Sequence, residues 1–282
     1  MEDFIVLVSV LMIVRIALLS TERVAFHGLG RGSYSAFATM GIAFWGASLV
    51  LWGVALEEQQ AVWIGDTVWI GLIYAFAFGL YTAALTKGSV GGVSAWTNLT
   101  IVLLWIIHPT GGWISILGIF IFTTGALWLA GKRITTSVLL IVCSDIMFVA
   151  ARLLDASHTH LPSFSYAASL FTSISLWMTI GIVLNSRVPE TLRLFWARPG
   201  WSLASAATNA GAYLSLFLLL HWLPPALVEA VSAFAAFVAT LVGVVFFQEQ
   251  NAKLKLTASF TMTIGVMILL IDHYHSIQQV LF

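Results

Sequence analysis

The chain has 282 residues, 60% of them hydrophobic and only 9% charged, and its acidic and basic side chains balance to zero. Soluble domains carry about 25% charged residues, so this composition, with a mean hydropathy of +0.99, excludes a water-soluble fold. Neutrality points to no nucleic acid or other polyanion as a partner, and the single cysteine, Cys143, leaves no intrachain disulfide.

An apolar run of about 20 residues crosses the hydrocarbon as a helix, and in lipid every backbone amide must be bonded within its own structure. Runs such as "IGLIYAFAFGLYTAAL" do not alternate as a barrel strand would, so the expected fold class is all-α integral membrane. Polar or Gly/Pro-containing breaks give ten spans. The first, roughly 3–20, carries Arg15 in its apolar part and has no basic leader, which predicts a retained span rather than a cleaved signal. The second covers 33–56, and the third, 64–86, contains Tyr81. The fourth, 90–108, holds Trp96 and Asn98; the fifth covers 112–131. Asp145 sits near the middle of the sixth, 135–153, which ends at Arg152. The seventh is 162–186, and the eighth, 200–222, carries Asn209 and Tyr213. Glu229 lies near one end of the ninth, 224–247, and the tenth is 256–273. All six prolines fall in or beside connections, which predicts unbroken spans and binding by side chains rather than by exposed backbone.

Lys and Arg of short loops favour the cytoplasmic side. The odd-numbered connections hold ten of the twelve basic residues, from Arg23 and Arg31 to Lys253 and Lys255. This asymmetry predicts an inner-membrane protein with both termini on the non-cytoplasmic side. The opposite face gathers six of the seven histidines. There "DASHTH" (Asp155, His158, His160) and "DHYH" (Asp272, His273, His275) each place an acid before two histidines. The first reading of this face is a solvated rim free of Lys and Arg; the sharper alternative is a site that ligates zinc or nickel.

The chain also repeats itself. "SYSAFATMGIAFW" (Ser33–Trp45) and "SYAASLFTSISLW" (Ser165–Trp177) keep Ser, Tyr, Ala, Ile and Trp in register 132 residues apart. The same offset relates Ala75, Gly79 and Ala83 to Ala207, Gly211 and Ser215, and Tyr81 to Tyr213. Small residues every four positions let membrane helices approach closely. "IFTTGALWLA" and "TMTIGVMILL" align Thr123 with Thr263 and Gly125 with Gly265 at an offset of 140. These matches predict two five-helix repeats, residues 1–133 and 134–282. Because five is odd, the copies should be inverted with respect to each other, a device of secondary transporters.

The second half, "AYLSLFLLLHWLPPALVEAVSAFAAFVATLVGVVFFQEQNAKLKLTASFTMTIGVMILLI" (Ala212–Ile271), resembles the EamA-type repeat of the drug/metabolite transporter superfamily. The resemblance rests on a Tyr-led eighth span, an Ala-rich ninth ending "FFQE" at Glu249, and Gly265 followed by aliphatics. It implies a solute cavity lined by spans one, three, four, six, eight and nine, with a small-metabolite substrate and no cofactor. Three features depart from that pattern. His108 or Pro109 stands where the first repeat often has Glu, a proline common in the fourth and ninth spans is absent, and the termini are predicted outside.

A charge at mid-bilayer costs at least about 2.5 kcal/mol on insertion scales. Arg15 and Asp145 are therefore the leading substrate-site candidates, for an anionic group and for an amine or proton respectively, and as a pair they could also lock the halves together. Asn98, Asn209, Tyr81, Tyr213, Trp96 and Glu229 complete the set. No nucleophile–base spacing nominates an enzyme. The expectation is a secondary transporter of a small polar or zwitterionic metabolite, embedded in the lipid bilayer. The alternative is a non-transporting subunit of a larger membrane complex, and a homodimer is equally compatible with the sequence.

Overall fold

The computed structural model of the chain describes residues 2–32, 34–107, 112–130, 135–223 and 225–281, apart from the side chains of 2–5, 130, 225–227, 229–231, 270 and 272–281. Twelve helices account for almost all of it: α1 Glu2–Gly30, α2 Ala36–Glu57, α3 Thr67–Lys87, α4 Val90–Trp96, α5 Leu99–Ile107, α6 Trp113–Ala130, α7 Thr136–Ser157, α8 Ser163–Leu184, α9 Val188–Ala197, α10 Pro199–Leu220, α11 Pro225–Phe246 and α12 Ala252–Leu281. Among the described residues, seven helical segments are long and apolar enough to cross a membrane, counting Val90–Ile107 as one, and Trp113–Leu129 and Ser232–Phe246 are shorter apolar helices. The molecule is an all-helical protein of multi-pass membrane type. Leu49, Trp69, Phe120, Val245 and Phe260 each expose more than half their surface on its outside, as a bundle solvated by lipid tails requires.

Local chemistry sets the helix starts. Ser35, Ser89 and Thr135 accept the amides of Ala38, Gly92 and Val138 at the beginnings of α2, α4 and α7, satisfying donors that a first turn otherwise leaves open. Pro189 and Pro199 open α9 and α10, where a missing N–H costs nothing.

Successive long helices run antiparallel, giving the bundle two chemically distinct ends. At the basic end Arg31 lies over the Phe247 ring, the Ser35 amide bonds Glu190, and the Gly91 amide bonds Glu249. At the histidine end His158 approaches Asp66 at 3.8 Å and Ser163 meets His221. Between them α1 packs along α10, α3 along α7, α2 against α8 and α10, α3 against α8, and α6 against α12.

Three sequence expectations change. The first span does not stop near residue 20: α1 continues to Gly30, so Arg23 is 5% exposed and Glu22 1% exposed inside the bundle rather than in a loop. The fourth span is interrupted without proline. Its helix gives way to a turn at Thr97–Asn98, held by Thr97 N–H to Ser94 O and Asn98 N–H to Ala95 O at 3.3 and 3.4 Å. The two matched glycines also differ in use. A Cβ on Gly211 would strike Leu18 at 2.8 Å, whereas one on Gly79 would meet nothing within 4 Å. Close approach explains the first and not the second.

Candidate functional site: a charged cavity inside the bundle

On α1 the residues Arg15, Leu19, Glu22, Arg23 and Phe26 recur at helical spacing, so one stripe turns three charges inward. Arg15, Glu22 and Arg23 line a cavity with Thr97 and Thr100 beside the break, Asp145 and Arg152 of α7, and Tyr81 and Tyr213. Phe78 and Phe148 close its sides and leave about 60 Å³, space for a few waters. These rings belong to a larger aromatic core: Phe78 meets Phe44 edge-on at 4.6 Å between centroids and Phe148 at 4.9 Å.

Each charge is held by specific groups. Arg15 donates from Nε to Ser232 Oγ at 2.8 Å and from Nη1 to the Ala212 carbonyl at 2.7 Å, tying α1 to α10 and α11. Asp145 Oδ1 accepts the Thr100 hydroxyl at 3.0 Å, so the interruption of the fourth span presents a donor to α7. Toward the histidine end a second network closes over the cavity. The Tyr74 hydroxyl donates to Asp155 Oδ2, Tyr166 donates to Asp155 Oδ1 at 2.8 Å, and Arg152 pairs with Asp155 at 3.4 Å. Arg152 also donates to Tyr74 at 2.6 Å and to Tyr213 at 3.3 Å, its guanidinium 5.1 Å from the Tyr213 ring centroid. Buried charges survive in low dielectric only with such partners.

Of the residues singled out in the sequence, Arg15, Asp145, Tyr81 and Tyr213 line one cavity, together with Glu22, Arg23, Arg152, Thr97 and Thr100. Asn98 is buried at the helix break, its Nδ2 without a partner; Asn209 is fully buried with neither amide atom bonded. Trp96 turns away, lining a separate groove with Ser89, Thr135 and Lys255. His108, Pro109 and the side chain of Glu229 lie outside the described residues. Of the missed residues only Glu22 and Arg23 left a signal, the 15–19–22–23–26 spacing on α1; ending the first span at the Ser-Thr pair before Glu22 hid it.

The metal expectation fares differently in its two parts. Asp155 turns inward to Tyr74, Tyr166 and Arg152, while His158 and His160 stack on each other with centroids 6.2 Å apart. Among the described residues no three His, Cys, Asp or Glu side chains form a metal-sized group. Asp272, His273 and His275 have side chains outside the described residues.

Outside the spans, Glu190 of α9 accepts the Ser35 amide and pairs with Arg187 at 2.9 Å. Burial works against its charge, yet the Ser35 amide, the Arg187 guanidinium and the Ser35 hydroxyl together hold its carboxyl below the usual range.

No protein-family model and no curated protein matches the chain. A solved structure described only as "Crystal structure of protein" matches at a TM-score of 0.67 with 14% sequence identity, over 94% of this chain and 98% of that one. At that identity the likeness is one of fold alone.

Proposed function

We propose that the protein is a secondary transporter that moves a small polar or zwitterionic metabolite through the central cavity by alternating access. The observation that carries this reading is the cavity itself: five charged side chains, Arg15, Glu22, Arg23, Asp145 and Arg152, converge in the core of an apolar bundle. Intramembrane charge is costly enough to mark a solute or ion path.

The packing supports two inverted five-helix repeats, residues 1–133 and 134–282, and ten spans. Exchanging the halves maps α1 to α7, α2 to α8, α3 to α10, α4–α5 to α11 and α6 to α12. Under that exchange the α1–α10 and α3–α7 contacts swap, as do α2–α10 and α3–α8, while α2–α8 and α6–α12 map onto themselves. At single residues, a Cβ on Gly118 would lie 2.7 Å from the Gly265 carbonyl, and one on Gly125 would lie 3.0 Å from the Ala258 carbonyl. The offset of 140 turns one contact into the other. The EamA-type drug/metabolite resemblance agrees with this arrangement, as does an orientation with the basic end cytoplasmic and both termini outside.

Uptake into proteoliposomes, with a panel of radiolabelled metabolites, tests the reading. Asp145→Asn should abolish coupled transport while leaving the protein folded in the membrane; wild-type protein inert across the panel would defeat it.

The aromatic filling that leaves only about 60 Å³ favours one other reading, a non-transporting subunit of a membrane complex. Native mass analysis of protein extracted in mild detergent separates the two: a lone protomer or homodimer fits the carrier, and stoichiometric unrelated subunits fit the accessory role.

A further inference from the structure

Bonded and unbonded polar groups are mixed along the bundle: Gln60 Oε1 at the histidine end has no partner, while toward the basic end His27 bonds the Leu85 carbonyl and Thr240 donates to Ser259. Toward the histidine end, Tyr74, Asp155, Tyr166 and Arg152 exchange bonds, and Thr67 and Ser173 meet at 3.2 Å. From mid-bundle toward the basic end, other buried polar atoms stand without partners: Glu22 Oε2, Arg23 Nε and Nη1, Thr82 Oγ1, Ser94 Oγ, Asn98 Nδ2 and both amide atoms of Asn209. Leu18 against Gly211 and Gly28 against Trp201 set Asn209 within a turn of Glu22. Buried polar atoms are almost always bonded, because an idle buried donor or acceptor has lost its water without replacement. A run of them calls for water or a solute able to bond them, and only Glu22 and Arg23 of the set line the cavity.

Glu22 and Arg23 are the charged members of this run, and both line the cavity. Among the described residues neither makes an ion pair within 4 Å; Glu22 lies in the field of Arg23, Arg15 and Arg152, and Arg23 shares a hydrogen bond with the Tyr81 side chain while its Nε and Nη1 stay without an acceptor. A carboxylate oxygen with an open lone pair complements an ammonium; guanidinium N–H groups with no acceptor complement a carboxylate.

We infer that Glu22 and Arg23 form the recognition pair for a solute bearing an ammonium and a carboxylate on the same carbon. This rests on the carrier reading and adds to it the residues that set the solute's charge pattern. Arg15, bonded to Ser232 and the Ala212 carbonyl, positions α1 so that the pair faces the cavity.

The test uses full-length protein in nanodiscs and two matched series: L-alanine, isopropylamine and isobutyrate, and L-leucine, isoamylamine and 4-methylpentanoate. Within each series one charged group is absent from the second and third compounds. Binding is read by thermal shift and by displacement of the labelled amino acid. The wild type should bind an amino acid at least tenfold more tightly than its amine or acid analogue. Arg23→Gln should erase the advantage over the amine, and Glu22→Gln the advantage over the acid, with the melting profile in the absence of ligand checking that each variant is folded. If both variants keep the wild-type preference, or no compound binds the wild type, the inference is wrong. Selective binding that depends on the pair, without uptake in proteoliposomes, would keep the pair and remove the carrier. Uptake blocked by Asp145→Asn but indifferent to both variants would keep the carrier and remove the pair.

Discussion

The Tyr74 hydroxyl donates to the Asp155 carboxylate inside the bundle, and Arg152 donates to both. Neither partner is near the other in sequence: α3 supplies the phenol and α7 the ion pair. The network joins the helices that close the cavity toward the histidine end.

Removing one partner of a buried ion pair leaves an uncompensated charge, at a cost of about 3–5 kcal/mol. Asp155→Ala should therefore lower thermal stability severely. Tyr74→Phe, which removes one hydroxyl from the same network, should cost about 1–3 kcal/mol. Melting curves in one detergent give the order directly; an Asp155→Ala variant as stable as Tyr74→Phe would show that Arg152 needs no carboxylate.

Glycine substitutions separate close packing from chance. A Cβ on Gly265 would lie 2.6 Å from both the Gly118 carbonyl oxygen and the Phe122 amide nitrogen, so α6 and α12 would have to part. Gly265→Ala should destabilise by about 1–3 kcal/mol, the usual cost of overpacking. Gly79→Ala, with nothing within 4 Å of the new methyl, should be neutral or stabilise by up to about 1 kcal/mol through helix propensity.

Glu190 predicts a pH effect at the basic end. Its folded pKa is depressed, so its contribution to stability is fully present above the unfolded carboxyl value, about 4.3. That contribution disappears as pH falls through the lower folded value. Wild type should exceed Glu190→Gln in melting temperature at neutral pH, and the gap should narrow below about pH 4.3. A gap independent of pH would mean that the Ser35 contact does not depend on charge.

The clamp between Glu249 and Lys255, 3.0 Å apart, also receives the Gly91 amide and ties α11 and α12 to the start of α4. Lys255→Ala leaves a nearly buried carboxylate with only that amide. It should lower the melting temperature more than Lys253→Ala, whose side chain is exposed, and equal losses would show that the clamp bears no strain from the fold.

Much of the architecture was legible in the chain. Lipid forbids unpaired backbone, so apolar runs had to be helices. Arg15 and Asp145 stood out because isolated charges in such runs are costly. The sequence could not announce how far α1 extends or which way it turns. Glu22 and Arg23 look like the start of a loop until the helix is seen to run on to Gly30 with both side chains under neighbouring helices. The break at Thr97–Asn98 had no proline to mark it. Asp155 resembled the head of a histidine cluster, and packing turned it inward to two tyrosines and an arginine. Composition and period determine that a segment is a helix in a membrane, because hydrocarbon leaves the backbone no alternative. Which of its polar side chains share a cavity is decided by helix rotation, length and contact across the bundle, and those are properties of the packed structure alone.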